Sequence, residues 1–467
     1  WLIDNRGGLF TLSGNEFKEF DPVNNIKGVT YSDIYEDRDR NMWVSTFQHG
    51  LIKLRSSSVR TLSVDDGLSG GNILGLLEDS KGRFWVCTRN KGLNLIDGNK
   101  ITYFDKSNGL HSNIIHTIAE DHNQNIWVGY YQEGIDRISN GKITHYDFNN
   151  ELEANDIHSI YISELGDIWV GTYLGLVKFD PINSDHIRYR REDGLLGEKI
   201  RYITEDKDGD IWVASLDGGI SEFKNGEFTN YSMTDGLSSN NIRSIYIDGE
   251  ETIWVGSENN GLNRIKDGKI DFITVQDGLP DHNIHWITED DIGFLWFSTN
   301  KGVVRIKKDE LNEYLNGQTD QFQMTHFDES EGMRSPEGNG SFQEAGIKTS
   351  YNTIWFATQN GVAIFNLNST NDEKSFTSVA IESIAAEDSV YQVNNSNNEI
   401  VLDTGVDVFR INYHGITFKN PDKTKFRYKL LGYQEDWVES NVAVVLYSNL
   451  SPDPYQFLLQ ASTNNGV

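Results

Sequence analysis

Short runs of alternating apolar and polar residues, separated by Gly, Asn and Asp, fill most of this chain. Residues 236–278 show the pattern. Ile242 to Ile247 alternates, as a half-buried strand should. Asp248–Thr252 turns the chain into Ile253–Ser257, Glu258–Gly261 turns it into Leu262–Ile265, and Gly268 precedes a fourth run, Ile270–Val275. Such β-branched and aromatic segments bounded by turn residues predict strands and hairpins. Trp254 centres the second run. Its equivalents Trp43, Trp85, Trp127, Trp169, Trp212, Trp254 and Trp296 recur at intervals of 42, 42, 42, 43, 42 and 42 residues. Trp1 lies 42 residues before the series and Trp355 lies 59 after it. Four short strands in each repeat of about 40–45 residues predict the blades of a β-propeller.

The repeated positions have physical reasons. Asp stands six before the Trp at Asp37, Asp79, Asp121, Asp206, Asp248 and Asp290, where its carboxylate can accept backbone N–H groups across the first hairpin. Gly82, Gly166, Gly209 and Gly293 suit the positive-φ position of that hairpin. Two after the Trp the residue is small (Ser45, Cys87, Gly129, Gly171, Ala214, Gly256, Ser298, Ala357), because neighbouring blades converge there. Cys87 therefore reads as a core residue. The Trp itself offers an apolar surface to the next blade.

Composition narrows the function. Forty-one basic against 70 acidic residues give a formal charge of −29, which repels a phosphate backbone and argues against nucleic acid as a partner. One cysteine excludes an internal disulfide framework. No apolar run approaches the ~20 residues that cross a bilayer. The chain opens on Trp1 inside a repeat, so it reads as a fragment of a longer protein. Asp206-Lys207-Asp208-Gly209-Asp210 resembles a calcium loop, but its Gly comes too early and no Glu closes it. The recurring Asp also lies three before the Gly rather than two, unlike a sialidase box. No cofactor and no metal site is expected; His49, His111, His122, His145, His186, His282, His326 and His414 lack metal-ligand spacing.

Gly236–Asn240, Glu205–Ala214 and Gly261-Leu262 carry the words Gly-Leu-Ser-x-Asn, Glu-Asp-x-x-Gly-x-Ile-Trp-Val-Gly-Thr and Gly-Leu. With them, residues 1–368 resemble the two-component-regulator propeller (Reg_prop) family. Glu331–Gly340, leading to Ile354–Thr358, is similar to the expanded last blade of such sensors and is taken to explain the 59-residue interval. Ile411-Asn412-Tyr413, Phe426–Leu430, Gly432-Tyr433, Asp436-Trp437, Tyr447–Leu450 and Pro454–Phe457 resemble the Tyr-rich (Y_Y_Y) β-sandwich that follows these propellers. The expected fold is all-β: a propeller of four-stranded blades, seven favoured and eight possible, followed by an Ig-like sandwich. The expected organisation is end blades of a preceding propeller (or first blades of the same ring) in 1–59, the propeller in 60–368, a linker in 369–376 and a truncated sandwich in 377–467. The resemblance implies the periplasmic or extracytoplasmic part of an inner-membrane receptor, homodimeric at full length. It implies contact with the membrane only through segments beyond this chain, with a histidine kinase or other output domain downstream.

Recognition is expected on loops. Eleven before each Trp stand Ser32, Leu74, His116, His158, Arg201, Arg243 and His285. The five from His116 to His285 predict a partial cationic collar at one mouth of the axial channel, suited to a carboxylate or sulfate. Tyr131, Tyr173 and Trp286 offer stacking surfaces for sugar rings. The favoured reading is a non-enzymatic sensor of a small solute, an oligosaccharide by the resemblance. The alternative is a polysaccharide lyase or glycoside hydrolase on a propeller scaffold, for which Arg and His of the collar would be the raw material.

Overall fold

A computed structural model describes the chain except for residues 15, 21–28, 38–40, 55–56, 58, 149–154, 369–377, 387–388, 394–398, 404, 417–423 and 463–467. The linker expected at 369–376 thus lies outside the described residues. The chain divides into two compact units, Ser58–Asn371 and Trp1–Ser57 with Asp372–Val467.

Ser58–Asn371 is a closed ring of seven four-stranded antiparallel blades. Blades one to six are meanders in sequence order; blade five is Ile242–Ile247, Ile253–Ser257, Leu262–Lys266 and Lys269–Ile273. Blade seven joins both ends of the unit. Gly346–Lys348, Thr353–Thr358 and Gly361–Asn366 supply three strands, and Val59–Leu62 adds the outermost, with Val362 opposite Leu62 and Phe365 opposite Val59. That pairing decides for seven blades over an eight-bladed ring starting at Trp43.

The tryptophans hold blade to blade. Trp127 of blade two is fully buried beside Phe179 of blade three, with ring centroids 6.0 Å apart. Trp169 meets Phe223 at 5.6 Å and Trp296 meets Phe365 at 5.4 Å. The small position works as anticipated. A Cβ on Gly129 would stand 2.6 Å from Ile157 Cγ2, and one on Gly171 would stand 2.6 Å from Ile200 Cγ2. In both cases the obstacles are two inner strands, that of the next blade and that of the same blade, through Thr117 at Gly129 and Ser159 at Gly171. Cys87 is buried at the same position, and burial raises its thiol pKa.

The turn aspartates do more than close the hairpin. Asp79 Oδ1 accepts the N–H groups of Lys81 and Arg83, while its Oδ2 accepts the Trp85 indole N–H at 2.9 Å. The same Asp-to-indole bond recurs at Trp43, Trp127, Trp212, Trp254 and Trp296, at 2.7–3.2 Å. Blade three has Ser163 in place of Asp. Its Oγ accepts only the Asp167 N–H, and the buried Trp169 Nε1 has no partner.

The 59-residue interval has an additional cause. Residues 308–323 join the third and fourth strands of blade six, where blade five needs only Asp267-Gly268. They carry a helix, α1 (Lys308–Leu315), held by Arg264 bonding Asn312 and by Lys308 bonding Glu289. The expanded last blade supplies the remainder.

The other unit contains sheets of two kinds. Leu2–Ile3, Leu9–Ser13 and Glu16–Glu19 form one three-stranded sheet, and Tyr31–Glu36, Met42–Thr46 and Leu51–Leu54 another. Its later part is the β-sandwich. One sheet has the order Ser389–Gln392, Ser378–Ala386, Val408–Ile416, Val444–Ser448; the other Val438–Ser440, Lys425–Leu431, Gln456–Ser462. Ile411, Tyr413, Phe426, Leu430, Val445 and Tyr447 form its core. No helix of the described residues is long and apolar enough to cross a membrane.

Candidate functional site at the channel mouth

Inner strands of a propeller line its axis, so their first residues meet at one mouth. A bulge adds to this. Ile115 pairs with Tyr130 and Thr117 with Gly129, leaving His116 as the unpaired extra residue. The same register shift isolates Leu74, His158, Arg201 and Arg243. A bulge re-aims the side chain it carries. In blade six His285 precedes the inner strand Trp286–Glu289 and bonds Ser298 O through its own N–H.

What meets at the mouth is not solvent but the chain itself. The segment Gly338–Ala345, between blades six and seven, crosses the ring. Gly338 N–H donates to Thr299 O of blade six, and Asn339 Nδ2 donates to Ile73 O of blade one. Gln343 N–H donates to His158 O of blade three. The Gln343 amide pairs with both backbone groups of Ile203 in blade four, at 3.0 and 2.8 Å. Leu76 N–H of blade one donates to Glu344 O, while Trp286 Nε1 and Tyr202 Oη donate to the Glu344 carboxylate. Burial raises the Glu344 pKa against the opposing effect of those bonds. Phe342 stacks on His116 at 3.6 Å and lies edge-on to His158 at 5.2 Å. Gly340 is required here, since a Cβ would enter the His285 ring. The segment thus satisfies inner-strand backbone groups and closes the channel.

This plug alters the collar. Arg201 donates to Ser341 O and sits over the Phe342 ring. Arg243 pairs with Glu258 at 3.0 Å. Burial pushes His158 and His285 down to about 4 and lowers His116 as well, so the imidazoles are neutral at neutral pH. Asp156, brought in by the loop before His158, stays ionised: burial would raise its pKa, but the His116 and His158 rings beside it outweigh that. Two guanidinium groups therefore face two carboxylates. The five basic side chains do converge, but the cationic field expected of them is largely cancelled. Trp286 also departs from expectation. It is 5% exposed, with Phe356 at 5.6 Å and Gly346 against its ring, so it has no face for a sugar.

The outer rim keeps open surface. Tyr131 is 42% exposed and lies 5.6 Å from His116. Tyr173 lies 5.3 Å from His158, with Lys199 Nζ 5.0 Å from its ring centroid. Sequence reasoning missed two further concavities. One, of about 290 Å³, lies over His111, His145 and Asp136, where His145 Nδ1 is 2.7 Å from Asp136 and the two imidazoles stack. The other, of about 590 Å³, lies between the outer hairpins of blades two and three, lined by Asp121, Arg137, Asp167, Lys178 and Asp185 among others. The only sequence signal for the first is Asp136, where blades one and five have Asn94 and Asn263. In the Asp206–Asp210 turn, Asp206 accepts the N–H groups of Asp208 and Asp210, and Asp210 pairs with Lys224.

The two component regulator propeller family matches residues 25–48, 67–90, 109–132, 194–217, 236–259 and 278–301, and the Y_Y_Y domain matches residues 417–467. The chain carries Reg_prop repeats and, after them, a Y_Y_Y domain. Each matched Reg_prop stretch runs through a recurring Trp, so the family's word and the blade's second strand coincide. Among solved structures, the extracellular domain of BT3049 from B. thetaiotaomicron, a proposed hybrid two component system, is 22% identical with a TM-score of 0.81. The alignment covers 97% of this chain and 62% of that one, so the chain spans less than two thirds of its length. The extracellular domain of BT4673 from the same organism is 20% identical with a TM-score of 0.55, over 98% of this chain and 64% of that one. Virginiamycin B lyase from Staphylococcus aureus, solved with quinupristin, is 19% identical with a TM-score of 0.52, over 66% of this chain and 99% of its own. At these identities the likeness concerns the fold. No curated protein matches the sequence at a significant level.

Proposed function

We propose that this chain is the extracytoplasmic sensing region of a two-component receptor. It binds a small solute, an oligosaccharide, on the channel-mouth rim of the propeller. The observation that carries this reading is a closed Reg_prop ring whose repeated face is uniform while its mouth is built from residues that differ blade by blade. Binding energy would pass through the sandwich to an output domain beyond this chain, a histidine kinase in the hybrid systems. For that, the solute must favour one arrangement of the receptor over another, since equal affinity for both shifts nothing. The full-length receptor is read as a homodimer, and residues 1–59, apart from Val59 in blade seven, as the end of a preceding ring. The relatives' description as extracellular supports a periplasmic location.

The lyase fold neighbour keeps the alternative, a lyase or hydrolase, in view. At this mouth, however, His116 and His158 lie under Phe342 and Arg201 is held by Ser341, so among the described residues the collar's base and cation do not stand open together. A thermal-shift screen of neutral and acidic oligosaccharides tests the choice. A cognate glycan should raise the melting temperature with no product formed, and Tyr131→Ala or Lys199→Ala should weaken that effect. Turnover of an anionic polysaccharide by the chain would overturn the sensor reading.

A further inference from the structure

Two donor atoms at the mouth, His158 Nε2 and Asp156 Oδ1, have no hydrogen-bond partner, and a third, His116 Nδ1, faces both Asp156 and the Ile157 carbonyl. His158 Nε2 lies 3.1 Å from Asp156 Oδ1, yet its N–H direction misses that oxygen, and neither atom has a hydrogen-bond partner. His116 Nδ1 lies 3.5 Å from the same oxygen, and the three donors fall within 4.8 Å of one another. The His158 side chain is 3% exposed, and both of its ring nitrogens are unpartnered. A neutral imidazole has one N–H and one lone pair, and burying both unmet is costly. Lone pairs that converge on a common point, rather than N–H bonds that point at acceptors, are the mark of a metal site.

We propose that His116, Asp156 and His158 bind a first-row divalent transition metal, zinc being the natural candidate. Two imidazoles and one carboxylate match its preference for borderline nitrogen donors with an oxygen. Bonds of about 2.0–2.1 Å in a tetrahedron separate donors by about 3.3 Å, which the 3.1 and 3.5 Å spacings bracket. His116 Nδ1 also lies 3.1 Å from Ile157 O. A ring nitrogen facing two oxygens is held there either by its own proton or by a cation, so metal binding requires the Nε2–H tautomer of His116. Arg201 faces the cluster from blade four and Phe342 covers it from the plug. Three protein ligands leave one position free, and beside Arg201 that position favours an anion such as hydroxide or a solute carboxylate. The sequence conceals the site because its ligands come from two blades and lie 40 and 42 residues apart, outside any local motif.

The test is independent of any glycan. The chelator-treated chain is titrated with Co²⁺, read by the visible bands of tetrahedral cobalt, and with Zn²⁺ by calorimetry. One metal per chain is expected. His158→Gln and Asp156→Asn should each weaken it by more than the roughly 10–100-fold that loss of an outer-shell partner costs, while His285→Asn should leave it intact. Melting curves without metal show whether each variant folds, and His116→Gln replaces any that does not. No binding overturns the site, as does binding that survives all three ligand substitutions or that falls with His111→Gln or His145→Gln instead.

Discussion

The two faces of the propeller are built from the same repeat yet behave differently. On the hairpin face, Asp79, Asp121, Asp206, Asp248 and Asp290 each accept backbone N–H groups and one indole N–H, in the same geometry. On the mouth face, equivalent bulge residues find different neighbours: Phe342 for His116, Tyr173 for His158, Ser341 for Arg201, Glu258 for Arg243. Repetition secures the ring because each blade must meet the next in one way. Only one segment can occupy an axis, so the mouth cannot be repetitive. The difference separates residues that hold the scaffold from residues free to carry recognition.

The sharpest way to break the repeated face is at its tightest contact. Gly171→Val drives a side chain into Ser159 and Ile200 and should cost about 3 kcal/mol or more, measured by urea unfolding. Removing one turn carboxylate comes next. Asp206→Ala frees the N–H groups of Asp208 and Asp210 and the Trp212 indole, costing about 2 kcal/mol. Ser163→Ala in blade three should cost less than half of that, since its indole is already unpartnered. If the two cost the same, the Asp-to-Trp bond contributes nothing.

The mouth is probed by pH. His158 and His285 titrate near 4 when folded and near 6.5 when unfolded. Below pH ~6.5 the unfolded chain takes up protons that the folded chain refuses, so stability falls with falling pH by up to about 1.4 kcal/mol per pH unit for each, levelling near pH 4. His285→Asn should flatten that slope, as read from urea midpoints at several pH values. The smallest effect is at the open rim. Tyr131→Ala, on a ring 42% exposed, should change stability by less than about 0.5 kcal/mol while weakening the solute's thermal shift.

Much of the scaffold was legible in the sequence because its constraints are local and recur. The Trp interval, the Asp before each Trp and the small residue after it each correspond to one contact in every blade. The fate of the collar was not legible. Nothing local shows that residues 338–345 cross the axis, since their partners Ile73, His158 and Ile203 lie in other blades. Nor does alternation reveal a bulge, which adds one residue without changing the apolar pattern. Trp286 looked like a loop aromatic because its neighbour His285 stands at the mouth, but one step along a strand reverses a side chain's face. The Asp-to-indole bond was equally hidden: the spacing of six was visible, but its second acceptor role was not.

The plugged channel is what distinguishes this account from an open-funnel receptor, and amide hydrogen exchange reads it directly. If Gly338–Ala345 closes the ring, the N–H groups of Leu76, Ile203 and Gln343 exchange as slowly as the second strands of the blades. Exchange of these three at the rate of exposed loops, with the second strands still protected, would show an open axis and contradict it.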